Sequence, residues 1–213
     1  MKNGLFVLVV LMNLVACKDK SSLSQSVENK RVDKIDDWRI CIDKFKYKNL
    51  KSFELNTDSI EKGLVKIEND LFFKIIQDSL AYDNCYFYSF QGQDSNFTKI
   101  TIVHKSLEWY SDIIWYLIYD KNNVLLNKTA IAENGLDEDW GFKSKSEFIN
   151  DSTVNIHSIE KTFGEVDDKK VKVKKKELQV SFVNGKPNAE IISVSETLED
   201  IKPSKYIRIL PVQ

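Results

Sequence analysis

Glycine, proline and histidine are scarce in this sequence, and basic residues are not in excess over acidic ones. Its 213 residues include seven glycines, three prolines and two histidines, which leaves little material for glycine-rich phosphate loops, collagen-like repeats or proline-rich linkers. The 31 lysines and arginines face 32 aspartates and glutamates, for a formal net charge of -1. This near balance removes the usual argument for a general nucleic-acid-binding protein. What is present, 42% hydrophobic and 30% charged residues, is typical of a globular protein.

The N-terminal residues have the pattern of an export signal. Lys2 provides a positive charge, residues 4–12 are almost wholly apolar, and Asn13 separates them from the tetrapeptide Leu-Val-Ala-Cys at 14–17. A charged start followed by an apolar stretch and small residues is typical of a secretory signal peptide. The apolar stretch has about half of the ~20 residues that a membrane-spanning helix needs, and no later segment is long and apolar enough.

The tetrapeptide resembles the lipobox of bacterial lipoproteins, in which the signal peptidase cuts before the cysteine. The small Ala16 fits that cleavage site. The resemblance implies that Cys17 is lipidated, with diacylglycerol on its sulfur and an acyl chain such as palmitate on its amino group. Asp directly after the cysteine often retains such lipoproteins at the inner membrane, whereas this chain has Lys18. The resemblance therefore implies the outer membrane of a Gram-negative envelope. The alternative, a cysteine beside an ordinary cleavage site, keeps the export and loses the lipid.

Three segments follow from this interpretation. Residues 1–16 are the signal peptide, residues 17–34 are the lipidated cysteine with a flexible tether, and residues 35–213 are a single domain. The tether contains only isolated apolar residues, too few to offset the entropy of ordering the chain. A flexible chain of this length spans on the order of 20 to 25 Å, so we expect the domain to lie close to the membrane.

Two cysteines remain in the predicted domain, Cys41 and Cys85. An even number in an oxidising compartment favours a disulfide bond. Closing a loop of about 45 residues would stabilise the fold by roughly 4 kcal/mol in the chain-entropy model. The alternative is two separate buried thiols. Neither cysteine has a second cysteine or a histidine at zinc-ligand spacing, so we expect no metal site there.

Alternation of apolar and polar residues predicts that strands dominate the domain. The pattern begins at residues 38–43 and continues through 86–90 and 100–102, and further strands are predicted at 124–131, 142–149, 153–162, 171–176, 178–183, 189–194 and 206–210. Residues 171–183 form either a strand pair or one long bent strand. Turns are predicted at 120–123, at Asn134-Gly135 and at Asn184-Gly185, the last of type I′.

Two segments depart from simple alternation. Residues 113–119 are apolar at every position, which predicts a central strand covered on both faces. Residues 59–77 have apolar side chains at helical spacing, and Asp58 with Glu61 can form a capping box, whereas Gly63 opposes a helix by about 1 kcal/mol. We predict a helix there. The expected fold is α+β and mainly β: an antiparallel meander of about eight to ten strands, curled or sandwich-like, with one packed helix.

An acidic segment is the predicted binding surface. Four carboxylates surround the predicted Asn134-Gly135 turn and precede an aromatic side chain; the residues are Glu133, Asp137, Glu138, Asp139 and Trp140. Carboxylates attract a basic partner over long range, and tryptophan is over-represented among residues that dominate interface energies. The spacing is not that of an EF-hand Ca²⁺ loop. The alternative is a solvated hairpin loop with Trp140 folded into the core.

The remaining charged and histidine residues give weaker signals. Lysines dominate residues 169–176, at positions 169, 170, 172, 174, 175 and 176, with Val171 and Val173 between them. This pattern favours an edge strand protected from aggregation, although a patch for phosphate-bearing glycolipid or an acidic protein has the same composition. His104 and His157 lack a signature neighbour, and we expect them to be structural.

The sequence therefore predicts a membrane-anchored binding or interaction protein without catalytic residues, cofactor or metal. No Gly-x-Ser-x-Gly nucleophile motif is present. The expected partners are the membrane, through the N-terminal lipid, and another envelope protein. The first alternative is an immunity or inhibitor lipoprotein that uses the acidic segment against a basic site on a toxin or lytic enzyme. The second is an envelope hydrolase whose residues are dispersed in the sequence.

Overall fold

The computed structural model describes residues 42–55, 62–76, 84–106, 111–137, 139–163 and 170–200. All of them belong to the compact unit Asp33–Gln213. The predicted signal peptide, the tether, Cys41, most of the strand at 38–43 and the strand at 206–210 lie outside the described residues. Within the described ranges, no helix is long and apolar enough to cross a membrane.

The described chain is mainly β, as predicted. It forms a mixed, open sheet of eleven strands and the helix α1, Asn69–Ile76. The strands are β1 Tyr47–Lys48, β2 Ser52–Glu54, β3 Val65–Lys66, β4 Cys85–Gln93, β5 Phe97–Ser106, β6 Ser111–Asp120, β7 Leu125–Asp137, β8 Trp140–Asn150, β9 Thr153–Phe163, β10 Lys170–Val183 and β11 Lys186–Asp200.

The sheet order is β1-β4-β5-β6-β7-β8-β9-β10-β11. From β4 onward the strands form an antiparallel meander, whereas the short β1 pairs with β4 in parallel. Strand β8 divides its pairing: residues 140–144 pair with β7, and residues 145–147 pair with β2. Because β7 and β8 separate beyond that point, the sheet folds into a first layer, β4 to β7, and a second layer, β8 to β11.

The interlayer core fills the space between the two layers. Tyr116 of β6 lies at its centre, with ring centroids 5.1 Å from Phe148 of β8 and 5.0 Å from Phe182 of β10. The other buried members are Phe53, Leu55, Val103, Ile114, Ile118, Ile131, Ala132, Val154, Ile156 and Val180. This contact explains why the long meander curls instead of remaining flat, since both layers bury an apolar face against each other.

The helix-side core covers the opposite face of the first layer. Leu117 and Tyr119 of β6 point there and are fully buried with Ile75 and Ile76 of α1. The Tyr119 hydroxyl donates a hydrogen bond to the Ile75 carbonyl at 2.5 Å. Since Ile114, Tyr116 and Ile118 face the interlayer core, β6 is covered on both faces, and the prediction for residues 113–119 is confirmed.

The predicted helix at 59–77 is wrong in its N-terminal half. Gly63 adopts a φ of 83°, and β3 (Val65–Lys66) pairs antiparallel with Phe87 and Tyr86 of β4. The described helix begins only at Asn69, and residues 59–61 and 77 lie outside the described ranges. Apolar residues at helical spacing were a misleading signal, because the neighbouring strand supplies backbone hydrogen bonds that the periodicity does not reveal.

Two of the predicted turns are confirmed. At 120–123, the Asp120 carboxylate accepts the backbone N–H groups of Asn122 and Val124, at 2.8 and 2.9 Å, and these bonds lower its pKa. At the second turn, Asn184 and Gly185 have φ values of 52° and 76°, as a type I′ hairpin requires. Gly185 is buried against Leu126 and Phe97, so this turn reaches back to the first layer.

The lysine-rich strand is not an edge, contrary to prediction. Strand β10 lies between β9 and β11 and runs as one long strand with an irregularity at Glu177/Leu178. Val171 and Val173 are buried, as their alternation predicted. The outer position belongs to β11, whose side chains are all exposed. The alternation alone could not reveal a further strand that pairs beyond β10.

Candidate functional site

The predicted turn at Asn134-Gly135 is wrong. Strand β7 passes through both residues, and Gly135 pairs with Ser111 on one side and Phe142 on the other. A Cβ atom on Gly135 would lie 2.9 Å from Cζ3 of Trp140 and 3.0 Å from Cβ of Ser111. The glycine therefore permits close packing within the sheet. The chain reverses after Asp137, and Glu138 lies outside the described residues.

Trp140 is held against the sheet. Its ring stacks on Phe142 with centroids 5.9 Å apart and an interplanar angle of 7°. Its Nε1–H donates a hydrogen bond to Oε1 of Glu160 at 3.3 Å. The side chain is half-buried, so it belongs neither to the deep core nor to a loop that extends into solvent. The fixed orientation leaves part of one rigid aromatic surface accessible beside the turn.

The predicted acidic cluster divides into two locations. Asp137 and Asp139 are exposed at the end of the β7–β8 hairpin. Glu133 lies further down β7, half-buried, and burial raises the pKa of its carboxyl above the ordinary value. The three carboxylates therefore do not form one uniform charged patch.

Leu136 is a surface residue that sequence reasoning missed. It lies between Gly135 and Asp137 at the end of β7 and is 69% exposed. Its Cδ1 lies 3.5 Å from where a Cβ would stand on Gly141, directly across the hairpin. An apolar residue between a glycine and several carboxylates was the available signal. We call Leu136, Asp137, Asp139 and Trp140 the hairpin surface.

A groove of about 310 Å³ is lined by residues of four strands, β7 to β10. Its floor is apolar, and opposite charges line it; the lining residues are Ala130, Glu133, Phe142, Ser144, Ile156, Ser158, Glu160, Lys174, Lys176 and Leu178. Two lysines of the predicted basic segment thus lie in the same groove as two glutamates. The segment is therefore not a uniformly solvated cationic face.

A larger cavity, which we call the polar cleft, opens elsewhere along the interlayer core. It has a volume of about 430 Å³, and its lining residues come from five separate stretches of the chain: Asn49, Leu50, Lys51, Gln91, Gly92, Gln93, Asp94, Lys99, Tyr116, Phe148 and Asp151. Tyr116 and Phe148 belong to the interlayer core. The cleft is thus a polar mouth over an aromatic floor, which is a common form of ligand site.

Strand irregularities shape one wall of the polar cleft. Strand β4 shifts register between Phe87 and Ser89 and again between Phe90 and Gly92, and Gly92 has a φ of 132° that favours glycine. Such bulges redirect side chains and are over-represented beside active sites. Here they bring the side chains of Gln91 and Gln93 to the lining.

A buried polar network lies next to this wall. The hydroxyl groups of Ser89 and Thr101, both fully buried, share a short hydrogen bond. The Ser89 backbone N–H donates to Thr101 Oγ1 at 3.0 Å. The Gln91 side chain contacts Ser89 Oγ at 2.6 Å, and its amide is oriented best when it also exchanges hydrogen bonds with the Leu50 backbone. Satisfied buried networks of this kind hold their members in one arrangement.

The charged groups of the polar cleft are hydrogen-bonded to its walls. Lys51 Nζ lies 3.1 Å from Oδ1 of Asp151, and Lys99 Nζ donates to the Asp151 backbone carbonyl at 3.3 Å. Asp94 accepts the backbone N–H groups of Asn96 and Phe97 at 2.7 and 2.8 Å, which lowers the pKa of its carboxyl. Two lysines and two aspartates line the cleft, so its described lining has no net charge.

The two histidines are not brought together. His104 is half-buried on β5, in register with Cys85 and Ile113. His157 is exposed on β9, with Nδ1 4.0 Å from Oε1 of Glu177. Within the part of the chain that the structure describes, no group of three or more His, Cys, Asp or Glu side chains could hold a metal ion.

Comparison of the chain with protein-family models, with curated proteins and with solved structures finds no match.

Proposed function

We propose that this protein is a lipid-anchored lipoprotein of the Gram-negative outer membrane that acts by binding another envelope protein, without catalysis, through the hairpin surface. The observation that supports this proposal most is the 69% exposure of Leu136 next to the exposed Asp137 and Asp139. An aliphatic side chain at the tip of a hairpin gains on the order of 2 kcal/mol when a partner buries it.

Charge and aromatic contact complement this apolar tip. Asp137 and Asp139 attract a basic partner and accelerate the encounter. Trp140 is already fixed by Phe142 and Glu160, so a partner that covers it loses little side-chain entropy. A basic protein surface with a small apolar pocket is therefore the chemistry that fits this site.

Affinity measurements with matched variants test the binding site. The mature chain, extracted from membranes with detergent, is used to capture a partner, whose affinity for single variants is then measured. Leu136→Ala should weaken binding by about tenfold because buried apolar area is lost. Ile149→Ala is the control, since Ile149 is also exposed, at 55%, but lies near the other end of β8. Equal affinities of the two variants would place the contact elsewhere.

The membrane anchor is proposed at Cys17. The support is the sequence alone: a charged start, an apolar stretch and a cysteine after Ala16. A single acyl chain holds a protein at a membrane only marginally, whereas several chains give stable anchoring, at about 0.8 kcal/mol per buried CH₂ group. Replacing Cys17 with serine should abolish both fatty-acid labelling and membrane retention. Unchanged labelling and retention would refute the anchor.

We also propose a disulfide between Cys41 and Cys85. Cys85 is buried in the helix-side core together with Phe45, whose ring lies 5.0 Å from that of Phe87. Phe45 N–H donates to the Ile42 carbonyl, so the residue after Cys41 is connected to this same region. Thiol alkylation of the exported protein followed by mass measurement should modify neither cysteine unless reductant is added. Modification of both without reductant would refute the pairing.

A further inference from the structure

We infer that the polar cleft is a second binding site, for a small neutral ligand rich in hydroxyl groups, such as one saccharide unit. The inference does not rest on the proposed function, since the cleft shares no lining residue with the hairpin surface. Its volume of about 430 Å³ lies within the range of small-molecule sites, roughly 300 to 1,000 Å³.

The charges of the cleft argue for a neutral ligand. The Asp151 carboxylate pairs with Lys51, its backbone carbonyl accepts Lys99 Nζ, and Oδ1 of Asp94 accepts two backbone N–H groups. The two lysines and two aspartates of the described lining balance, so the cleft has no net attraction for either an anion or a cation.

The uncharged lining suits hydroxyl groups. Asn49 and Gln93 contribute amides, each of which contains both a donor and an acceptor, whereas the Gln91 amide is held by Ser89 and the Leu50 backbone. A sugar hydroxyl also both donates and accepts, so an amide can satisfy it without any change of protonation. The phenol of Tyr116 is uncharged at neutral pH like any tyrosine, and burial raises its pKa further.

The floor suits the apolar side of a sugar ring. Tyr116 and Phe148 meet at 64°, with centroids 5.1 Å apart, and are 1% and 9% exposed, so only a small part of this floor, mainly of Phe148, is open to a ligand. The faces of aromatic rings are electron-rich and attract positively polarised groups, which include the C–H groups on one side of a pyranose. The ligand would thus place C–H groups on the floor and hydroxyl groups against the amides.

The cleft is preformed by hydrogen bonds in its walls. The backbone N–H of Asn49 donates to the Phe90 carbonyl at 2.9 Å, and that of Phe148 donates to the Lys51 carbonyl at 2.7 Å. These bonds connect the segment at 49–51 to both layers of the sheet. A ligand would therefore bind without the entropic cost of ordering the site.

Titrations followed by nuclear magnetic resonance test the inference. The full mature chain is kept in a detergent without a sugar headgroup and is titrated with glucose, N-acetylglucosamine and inorganic phosphate to millimolar concentrations. The inference predicts saturable changes of the backbone amide signals of Gly92 and Gln93 with at least one sugar. It is overturned if only phosphate produces them, if none of the three does, or if the saturable changes lie outside the cleft.

A pair of glutamine variants locates the site. Gln93→Ala should weaken sugar binding by about three- to tenfold, the effect of one lost hydrogen bond. Gln179→Ala is the matched control, because Gln179 lies on β10 and donates to Asn155 at 3.2 Å outside the cleft. Gln93 is exposed, so its replacement should not unfold the protein. Equal sugar affinity of both variants would overturn the assignment.

Discussion

Gly185 offers a sharp test of how the sheet closes on itself. This glycine is the second residue of the type I′ turn between β10 and β11 and is buried against the first layer. A Cβ atom there would lie 2.7 Å from Cδ1 of Leu126 and 3.3 Å from Cε1 of Phe97. Gly185→Ala should therefore destabilise the protein for two separate reasons.

The magnitude follows from these two contributions. A non-glycine residue at a φ of 76° costs about 1 to 2 kcal/mol. Forcing a methyl group into packed neighbours costs a further 1 to 3 kcal/mol or so. We expect a loss of roughly 2 to 5 kcal/mol, which lowers Tm by about 5 to 15 °C for a domain of this size.

Gly141→Ala provides the matched control. Gly141 is in a strand, and a Cβ there would make only ordinary contacts, 3.5 Å to Leu136 Cδ1 and 4.0 Å to Lys161 Cβ. The change should be neutral or stabilising by up to about 1 kcal/mol.

Thermal unfolding monitored by circular dichroism measures both glycine variants. The double variant Gly185→Ala/Leu126→Ala should lose less stability than the two single changes predict together, because the smaller side chain relieves the overlap. If Gly185→Ala and Gly141→Ala change Tm by the same amount, the proposed contact between the turn and the first layer is wrong.

Three further predictions concern burial and charge. Ile114→Asp and Leu117→Asp, on opposite faces of β6, should each unfold the domain, because both side chains are fully buried; a folded circular dichroism spectrum for either variant would contradict the two-sided core. Val180→Lys should lower Tm strongly, because the Val180 side chain is 4% exposed. Val194→Lys should change stability by no more than about 0.5 kcal/mol, because Val194 is 52% exposed. A larger loss of Tm for Val194→Lys than for Val180→Lys would contradict the burial assignments. Glu133→Gln should raise Tm at neutral pH and have little effect at a pH below the ordinary glutamate pKa. Burial raises the pKa of Glu133 in the folded protein, so ionisation of this carboxyl destabilises the fold once the pH exceeds the ordinary glutamate pKa. A lower Tm of the variant at neutral pH would contradict this prediction.

Local sequence patterns predicted the elements whose stability is local or strongly apolar. Residues 113–119 are apolar throughout. In a mainly β protein, only a strand covered on both faces can bury such a segment. The Asn184-Gly185 turn followed from the backbone preference of the dipeptide. The identical dipeptide at 134–135 was misleading, because Gly135 is needed for the close approach of Trp140, and that contact joins two strands.

The polar cleft could not be predicted from the sequence for a related reason. Its residues come from distant stretches of the chain, such as Asn49, Gln91 and Asp151, and they meet only because β8 leaves β7 and pairs with β2. No spacing rule connects them. The same holds for the groove, which is lined by both Glu133 of β7 and Lys174 of β10. Strands β8 and β9 lie between β7 and β10 in the sheet order.

The central claim is that the protein acts by binding through the hairpin surface. Amide hydrogen exchange in the presence of the captured partner tests this claim most directly. Exchange is measured for the mature chain alone and in complex. We predict slower exchange at residues 135–141 in the complex, with unchanged exchange in the turn at 120–123, which serves as an internal control. Unchanged exchange at 135–141, together with protection in another part of the chain, would contradict the claim.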